Sequence, residues 1–249
     1  MTNKKIVGII PARYASNRFP GKPLILLLEK PMILWVAELV SLALGKENTY
    51  IATEDKRISE LVEKNGFKAV LTSSEHLTGT DRLAEVASKL DADIYLNIQG
   101  DEPTLNPESI QKVIEAKISY PNEVINAMAI LDDNEKPDNV NIPKVVFSEN
   151  LKMIYMSRLP IPGYKSIENK PEKHYKQVCI YAFNQKELLS YGSAKKKGLV
   201  EQHEDIEILR YFEMGIPVHM VEVEGNTFAV DVPEDIKPVE NRLKQIHRL

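Results

Sequence analysis

The chain has 249 residues, 43% hydrophobic and 27% charged, and its 32 basic against 36 acidic side chains give a net charge of −4. This is the composition of an ordinary soluble globular protein, long enough to bury a core and without the basic excess of a general nucleic-acid binder. A single cysteine excludes an intrachain disulfide framework and a cysteine-based zinc site. The charge is unevenly spread: Lys4, Lys5, Arg13, Arg18 and Lys22 all precede the first acid, Glu29. A positive segment opening an acidic protein suits a small anion, and a solvated basic terminus is the plainer alternative.

Ile6 to Ile10 is short, β-branched and apolar, as a buried strand is. Pro11 cuts this run too early for a signal peptide, and no apolar stretch near the start reaches bilayer-spanning length, so a cytoplasmic protein without membrane contact is expected. Pro11 to Pro23, with three prolines and a glycine, is a loop. Met32 to Leu44 has helical apolar spacing and ends at Gly45. Thr49 to Thr53 is predicted as a strand, Asp55 to Asn65 as a helix stopped by Gly66, and Lys68 to Leu71 as a strand. Thr80 to Leu90 reads as a helix, Ile94 to Ile98 as a strand, and Pro107 to Ser119 as a helix. Strands alternating with helices imply a parallel sheet covered on both faces.

Beyond about residue 120 the rhythm changes. Val124 to Leu131, Lys144 to Phe147, Lys152 to Ser157 and Gln177 to Phe183 read as extended segments. Glu201 to Met214 is predicted as one helix, Pro217 to Glu222 as a strand and Glu234 to Ile246 as a terminal helix. The expected organisation is one α/β domain over residues 1–249, with a strand-rich insertion at about 120–190 that could form a subunit contact.

The first strand delivers the loop Pro11 to Pro23 to the carboxyl edge of the sheet, where open α/β sheets bind ligands. The loop is neither a Walker loop nor a dinucleotide fingerprint. It does combine Arg13, Arg18 and Lys22 with Gly21; forked guanidinium groups and a point-charge ammonium suit a triphosphate. A set of surface cations is the alternative. Asp101 follows the Ile94 to Ile98 strand, where a carboxylate can hold magnesium or cap a turn. Asp231, before Val232-Pro233-Glu234-Asp235, has the same two readings. Asp91-Ala92-Asp93 precedes its strand and so falls at the opposite edge.

Ile10-Pro11-Ala12-Arg13-Tyr14-Ala15-Ser16 with Arg18-Phe19-Pro20-Gly21-Lys22-Pro23-Leu24 resembles the opening of the 3-deoxy-manno-octulosonate (Kdo) cytidylyltransferases. His76 with Gly79-Thr80-Asp81-Arg82-Leu83-Ala84-Glu85-Val86, Asn97-Ile98-Gln99-Gly100-Asp101-Glu102-Pro103 and Asp231-Val232-Pro233-Glu234-Asp235 are similar to further signatures of that family, in order along nearly the whole chain. The resemblance implies a Rossmann-like nucleotidyltransferase fold of the nucleotide-diphospho-sugar transferase type. It also implies transfer of CMP from CTP to a 3-deoxy ulosonic acid with release of pyrophosphate, magnesium as cofactor, and a homodimer. By the same resemblance, Arg13, Arg18 and Lys22 hold the triphosphate, and Asp101 and Asp231 bind magnesium. Lys22, Arg13, Asp101 and Asp231 are then the catalytic set. Pro11, Ala12, Ser73, Arg82 and Gln99 face the nucleoside, while Gln99, Arg158, Gln177, Tyr181, Glu204 and Glu207 line the sugar-acid side.

The chain departs from the pattern at Gln177, where the family commonly has histidine, at Cys179 in place of glycine, and at Ile208 in place of glutamine. Gln177 and Ile208 fall on segments expected near the sugar acid. Neutral drift and an altered acceptor such as 8-amino-Kdo are the two readings of these changes. Cys179, in an apolar strand, reads first as a small buried hydrophobe. A glycosyltransferase on a similar fold and a non-catalytic nucleotide binder are the rival functions.

Overall fold

The computed structural model describes residues 4–15, 19–225 and 227–248. Its first half alternates strands and helices: β1 (Ile6–Pro11), two short paired strands β2 (Leu26–Leu27) and β3 (Lys30–Pro31), α1 (Met32–Leu44), β4 (Thr49–Thr53), α2 (Lys56–Lys64), β5 (Lys68–Leu71), α3 (Gly79–Lys89), β6 (Ile94–Ile98) and α4 (Pro107–Ser119). The second half comprises β7 (Val124–Ile130), β8 (Lys144–Phe147), β9 (Met153–Ser157), β10 (Tyr175–Phe183), α5 (Gln185–Ser193), α6 (Leu199–Glu204), α7 (Leu209–Glu213), β11 (Val218–Glu222) and α8 (Ile236–His247).

The central sheet has the order β11-β7-β10-β6-β1-β4-β5. All of these neighbours pair in parallel except β10, which runs antiparallel to both β6 and β7. The strand-rich stretch is thus woven into the sheet at β7 and β10 and leaves it as the antiparallel pair β8–β9, joined to the start of β10 at Tyr175 and Lys176. Both faces are covered, which explains the near-continuous apolar strands. On one face Ile33, Val36 and Val40 of α1, Ile58 and Val62 of α2, and Ile110 and Val113 of α4 pack against the sheet. On the other, Leu83 and Val86 of α3, Leu188 and Tyr191 of α5, and Leu209 and Tyr211 of α7 do so. Helix α8 sets Val239 and Leu243 against Leu27, Met32, Trp35 and Val230.

Two second-half elements differ from expectation. Helix α5 was not anticipated, although Asn184 and Glu187 form a capping box at its start. The single helix expected over Glu201 to Met214 is two short ones, broken at Asp205, whose φ is +50°. The break has a tertiary cause. The Arg158 guanidinium donates to the carbonyls of Glu204 and Asp205, which a continuous helix would keep for itself.

A buried ionic cluster locks this region to α3. Arg210, 2% exposed, bonds Asp81 Oδ1 at 2.6 Å and both carboxylate oxygens of Glu201 at 2.6 and 2.7 Å. Its guanidinium also lies 3.7 Å over the Tyr191 ring. Burial would lower the Arg210 pKa, but the two acids hold it above its ordinary value.

Candidate active site

Because β1, β4 and β6 run parallel, the segments after them share one edge. After β1 the backbone continues its register, Ala12 N–H donating to Ala52 O at 2.9 Å. The loop then returns through Gly21, at φ +71°, into a single turn over Lys22–Leu24. A left-handed residue is needed there to reverse the chain, so glycine serves. Lys22 Nζ lies 2.6 Å from Asp101 Oδ2 and 3.5 Å from Asp231 Oδ1. Asp231 is carried to this point by residues 227–231: Val230 N–H donates to Asp101 O at 2.9 Å, and Phe228 N–H to Thr104 Oγ1 at 2.7 Å. Gly100 permits the close approach of β6 to β1, since a Cβ there would meet Pro11 O at 3.0 Å.

The other expected residues are placed as follows. Arg13 is exposed on the loop, Ala12 is buried, and Arg18 lies outside the described residues. Arg82 is fully buried; Nη2 lies 2.8 Å from Glu54 Oε2, and Nη1 donates to Thr72 Oγ1. Burial lowers its pKa, Glu54 opposes that, and nearby Arg13 adds to it. Ser73 is exposed, its N–H donating to Glu85 Oε2 at 2.9 Å. Burial alone would raise the Glu85 pKa, but hydrogen bonds from Lys89, the Ser73 backbone and His76 hold it down at about 2.

On the expected sugar-acid side, Glu207 accepts from Gly79 N–H at 3.0 Å, Thr80 N–H at 2.9 Å and Thr80 Oγ1 at 2.6 Å. It thereby caps the N-terminus of α3, beside Pro11. Glu204 accepts from Ser157 Oγ at 2.7 Å and Arg158 N–H at 2.8 Å. Arg158 spends its guanidinium on the carbonyls of Glu204, Val140 and Asp205. Those three side chains shape the region through bonds to the protein itself. Gln177 donates to Asn126 Oδ1 at 3.0 Å, and Asn126 in turn donates to Val178 O and Ile180 O, filling the bulge of β10. Tyr181 is buried, and burial pushes its hydroxyl well above the usual range. Ile208 is 1% exposed within the core, so its side chain packs between helices and sheet and does not line the edge. The Cys179 thiol is also pushed well above its ordinary value, by burial and then by Glu102.

Two further acids at this edge escaped the sequence reading. Glu54 follows β4 as Asp101 follows β6, a position that could have drawn notice. Glu102 is buried, and burial, aided by Asp101, raises its pKa to about 7. Asp93 lies at the far edge, accepting from Lys5 N–H at 2.7 Å.

The mostly parallel sheet, with the loop of Lys22 and the acids Asp101 and Asp231 at its carboxyl edge, has the Rossmann-like fold of the nucleotidyltransferases. Residues 7–223 match the model of the Cytidylyltransferase family, and the chain belongs to that family. It is 39% identical to the 3-deoxy-manno-octulosonate cytidylyltransferase of Trichlorobacter lovleyi, covering 97% of this chain and 99% of that one. It is likewise 39% identical to the 8-amino-3,8-dideoxy-manno-octulosonate cytidylyltransferase of Shewanella baltica, over 94% of this chain and 97% of that protein. Among solved structures, CMP:2-keto-3-deoxy-manno-octonic acid synthetase complexed with CTP superposes with a TM-score of 0.88 at 36% identity, covering 97% and 99% of the two chains. The inositol-1-phosphate CTP transferase of T. maritima, at 13% identity and a TM-score of 0.68 over 97% of each chain, shares the fold.

Proposed function

We propose that this protein transfers CMP from CTP to the anomeric hydroxyl of 3-deoxy-manno-octulosonate, releasing pyrophosphate and giving the activated sugar for lipopolysaccharide or surface polysaccharide. The observation that carries this reading is the meeting of Lys22, Asp101 and Asp231 on one point. The hydroxyl oxygen bonds to the α-phosphorus as the α–β bridging bond breaks, and the hydroxyl proton leaves to solvent. Such a displacement rests on positioning and charge stabilisation. Lys22 and Arg13 offset the phosphate charge from the loop, and Arg18 belongs to the same proposed set. Pro11, Ala12, Ser73, Arg82 and Gln99 form the nucleoside side by contact or support. The acceptor lies against Gln99, Gln177 and Tyr181, in a region shaped by Arg158, Glu204 and Glu207.

The residues fit magnesium: two carboxylates brought from distant stretches converge on one cationic group, and the ion takes one or two carboxylates alongside phosphate oxygens. Asp101 and Asp231 would hold it, and when bound it supplies charge neutralisation and lowers the pKa of a ligated hydroxyl. A cytoplasmic homodimer is part of the reading; among the described residues no helix is long and apolar enough to cross a membrane.

8-Amino-Kdo is the second acceptor reading, favoured by the Shewanella relatives and by Gln177 on the acceptor side. Mass spectrometry of products formed from CTP, magnesium and each sugar acid tests both. A CMP adduct of Kdo is the expected product, and faster turnover of the 8-amino compound would transfer the assignment. Hydrolysis of a nucleotide sugar without CTP consumption would defeat both.

A further inference from the structure

The loop that carries Lys22 is held from behind by Glu54, an acid at the same edge to which the proposed reaction gives no role. After β4, the N–H of Asp55 bonds Thr53 Oγ1 at 3.1 Å, a tight turn that presents Glu54 toward the loop. Glu54 Oε1 accepts from Tyr14 N–H at 3.0 Å, while Oε2 lies 2.8 Å from Arg82 Nη2. Arg82 is fully buried, so its charge needs this carboxylate, and an uncompensated buried charge is strongly unfavourable. Glu54 is therefore pinned on one oxygen and grips the loop with the other.

The grip passes to Lys22 in few steps. Tyr14 O accepts from Gly21 N–H at 2.9 Å, and Gly21 O accepts from Leu24 N–H at 2.8 Å across the Lys22 turn. The Tyr14 ring covers Gly21 so closely that a Cβ there would meet it at 3.3 Å. From outside, the Arg57 guanidinium lies 3.4 Å over the same ring and is fixed by Asp55, whose side chain caps α2.

We propose that Glu54 is a positioning residue for the nucleotide triphosphate: pinned by Arg82, it fixes Tyr14, and Tyr14 sets Gly21 and the ammonium of Lys22 at the place where phosphate oxygens bind. This rests on the reading of the loop as the triphosphate site. Small displacements of a positioned charge carry large penalties, so Glu54, acting through Tyr14 and Gly21, controls how the Lys22 ammonium meets the phosphates.

The test is CTP titration by calorimetry in magnesium buffer without sugar acid, together with separate KM values for CTP and Kdo. Glu54→Ala is expected to weaken CTP binding by about tenfold or more. The KM for Kdo at saturating CTP should stay within about twofold. Glu54→Gln, whose amide oxygen can still accept from Tyr14 N–H, recovers part of the loss. Should Glu54→Ala fail to fold, Arg57→Ala supplies the independent arm. Arg57 is exposed, and its removal frees the Tyr14 ring while leaving the buried pair intact, so a smaller loss of CTP affinity with an unchanged melting temperature is expected. CTP affinities within about twofold of wild type in both folded variants overturn the proposal, and so does a parallel rise in both KM values. A wild-type protein that binds CTP but transfers CMP to no sugar acid defeats the functional reading alone, and the positioning role stands.

Discussion

Lys22 Nζ and Asp101 Oδ2 are 2.6 Å apart, with Asp231 Oδ1 3.5 Å from the same ammonium. One cation thus meets two carboxylates, and the negative charge left over is what a divalent ion arriving with a polyanionic ligand would neutralise.

Replacing either acid should therefore affect turnover far more than folding. Asp101→Asn and Asp231→Asn are each expected to lower kcat by about a hundredfold or more, the scale of losing one preorganised electrostatic contact. Their melting temperatures in chelator should match wild type. Steady-state pyrophosphate release and thermal melting check the pair, and near-normal turnover of either variant refutes the metal assignment.

The Arg210 cluster makes the opposite prediction. Arg210→Ala strands Asp81 and Glu201 in the interior, and breaking a buried pair from one side costs about 3–5 kcal/mol. Urea denaturation should show that loss. The α3 N-terminus, which the neighbouring Glu207 caps, should loosen with it and appear as faster amide exchange at Gly79 and Thr80.

Gly100→Ala should lower kcat/KM for CTP by about tenfold. The added methyl meets Pro11 O at 3.0 Å and pushes the first loop away from Asp101. Gly163→Ala, where a Cβ has no neighbour within 4 Å, is the control and should be silent.

His219 sets a pH dependence away from the site. It is stacked on Tyr120 at 3.9 Å, with Glu123 at 3.6 Å and Lys152 nearby, and burial lowers its pKa from the ordinary 6.5. The unfolded chain thus takes the proton first. The stabilisation is complete above pH 6.5 and is lost as pH falls through and below that value. His219→Phe keeps the stack and removes the titration. Its urea midpoint should drop less than that of wild type between about pH 7.5 and about pH 5, and equal drops would exclude this role.

How much of this was legible differs by region. From β1 to α4 the strand and helix periods were clean and the caps local: Asp55 and Asn106 accept from the backbone two residues on, and Gly45 follows α1. Such signals lie within a few residues of the element they specify. The 201–214 segment misled because its helical pattern is interrupted by a long-range partner, Arg158. Likewise, Arg158 and Glu204 look like ligand-binding groups as residue types, yet Glu204 accepts from Ser157 and the Arg158 backbone, and the Arg158 guanidinium donates to the carbonyls of Glu204, Asp205 and Val140.

The sequence by itself determined the alternating α/β order, the cationic loop after the first strand, and the family signatures around Lys22, Asp101 and Asp231. These depend on local hydrophobic period and residue type. Only the tertiary structure decided that Asp231 stands beside Asp101, that Arg82 is buried against Glu54, and that Ile208 belongs to the core. Each is a contact between distant segments, fixed by strand order and by the need to partner or bury each group, and neither can be read from neighbours in the chain.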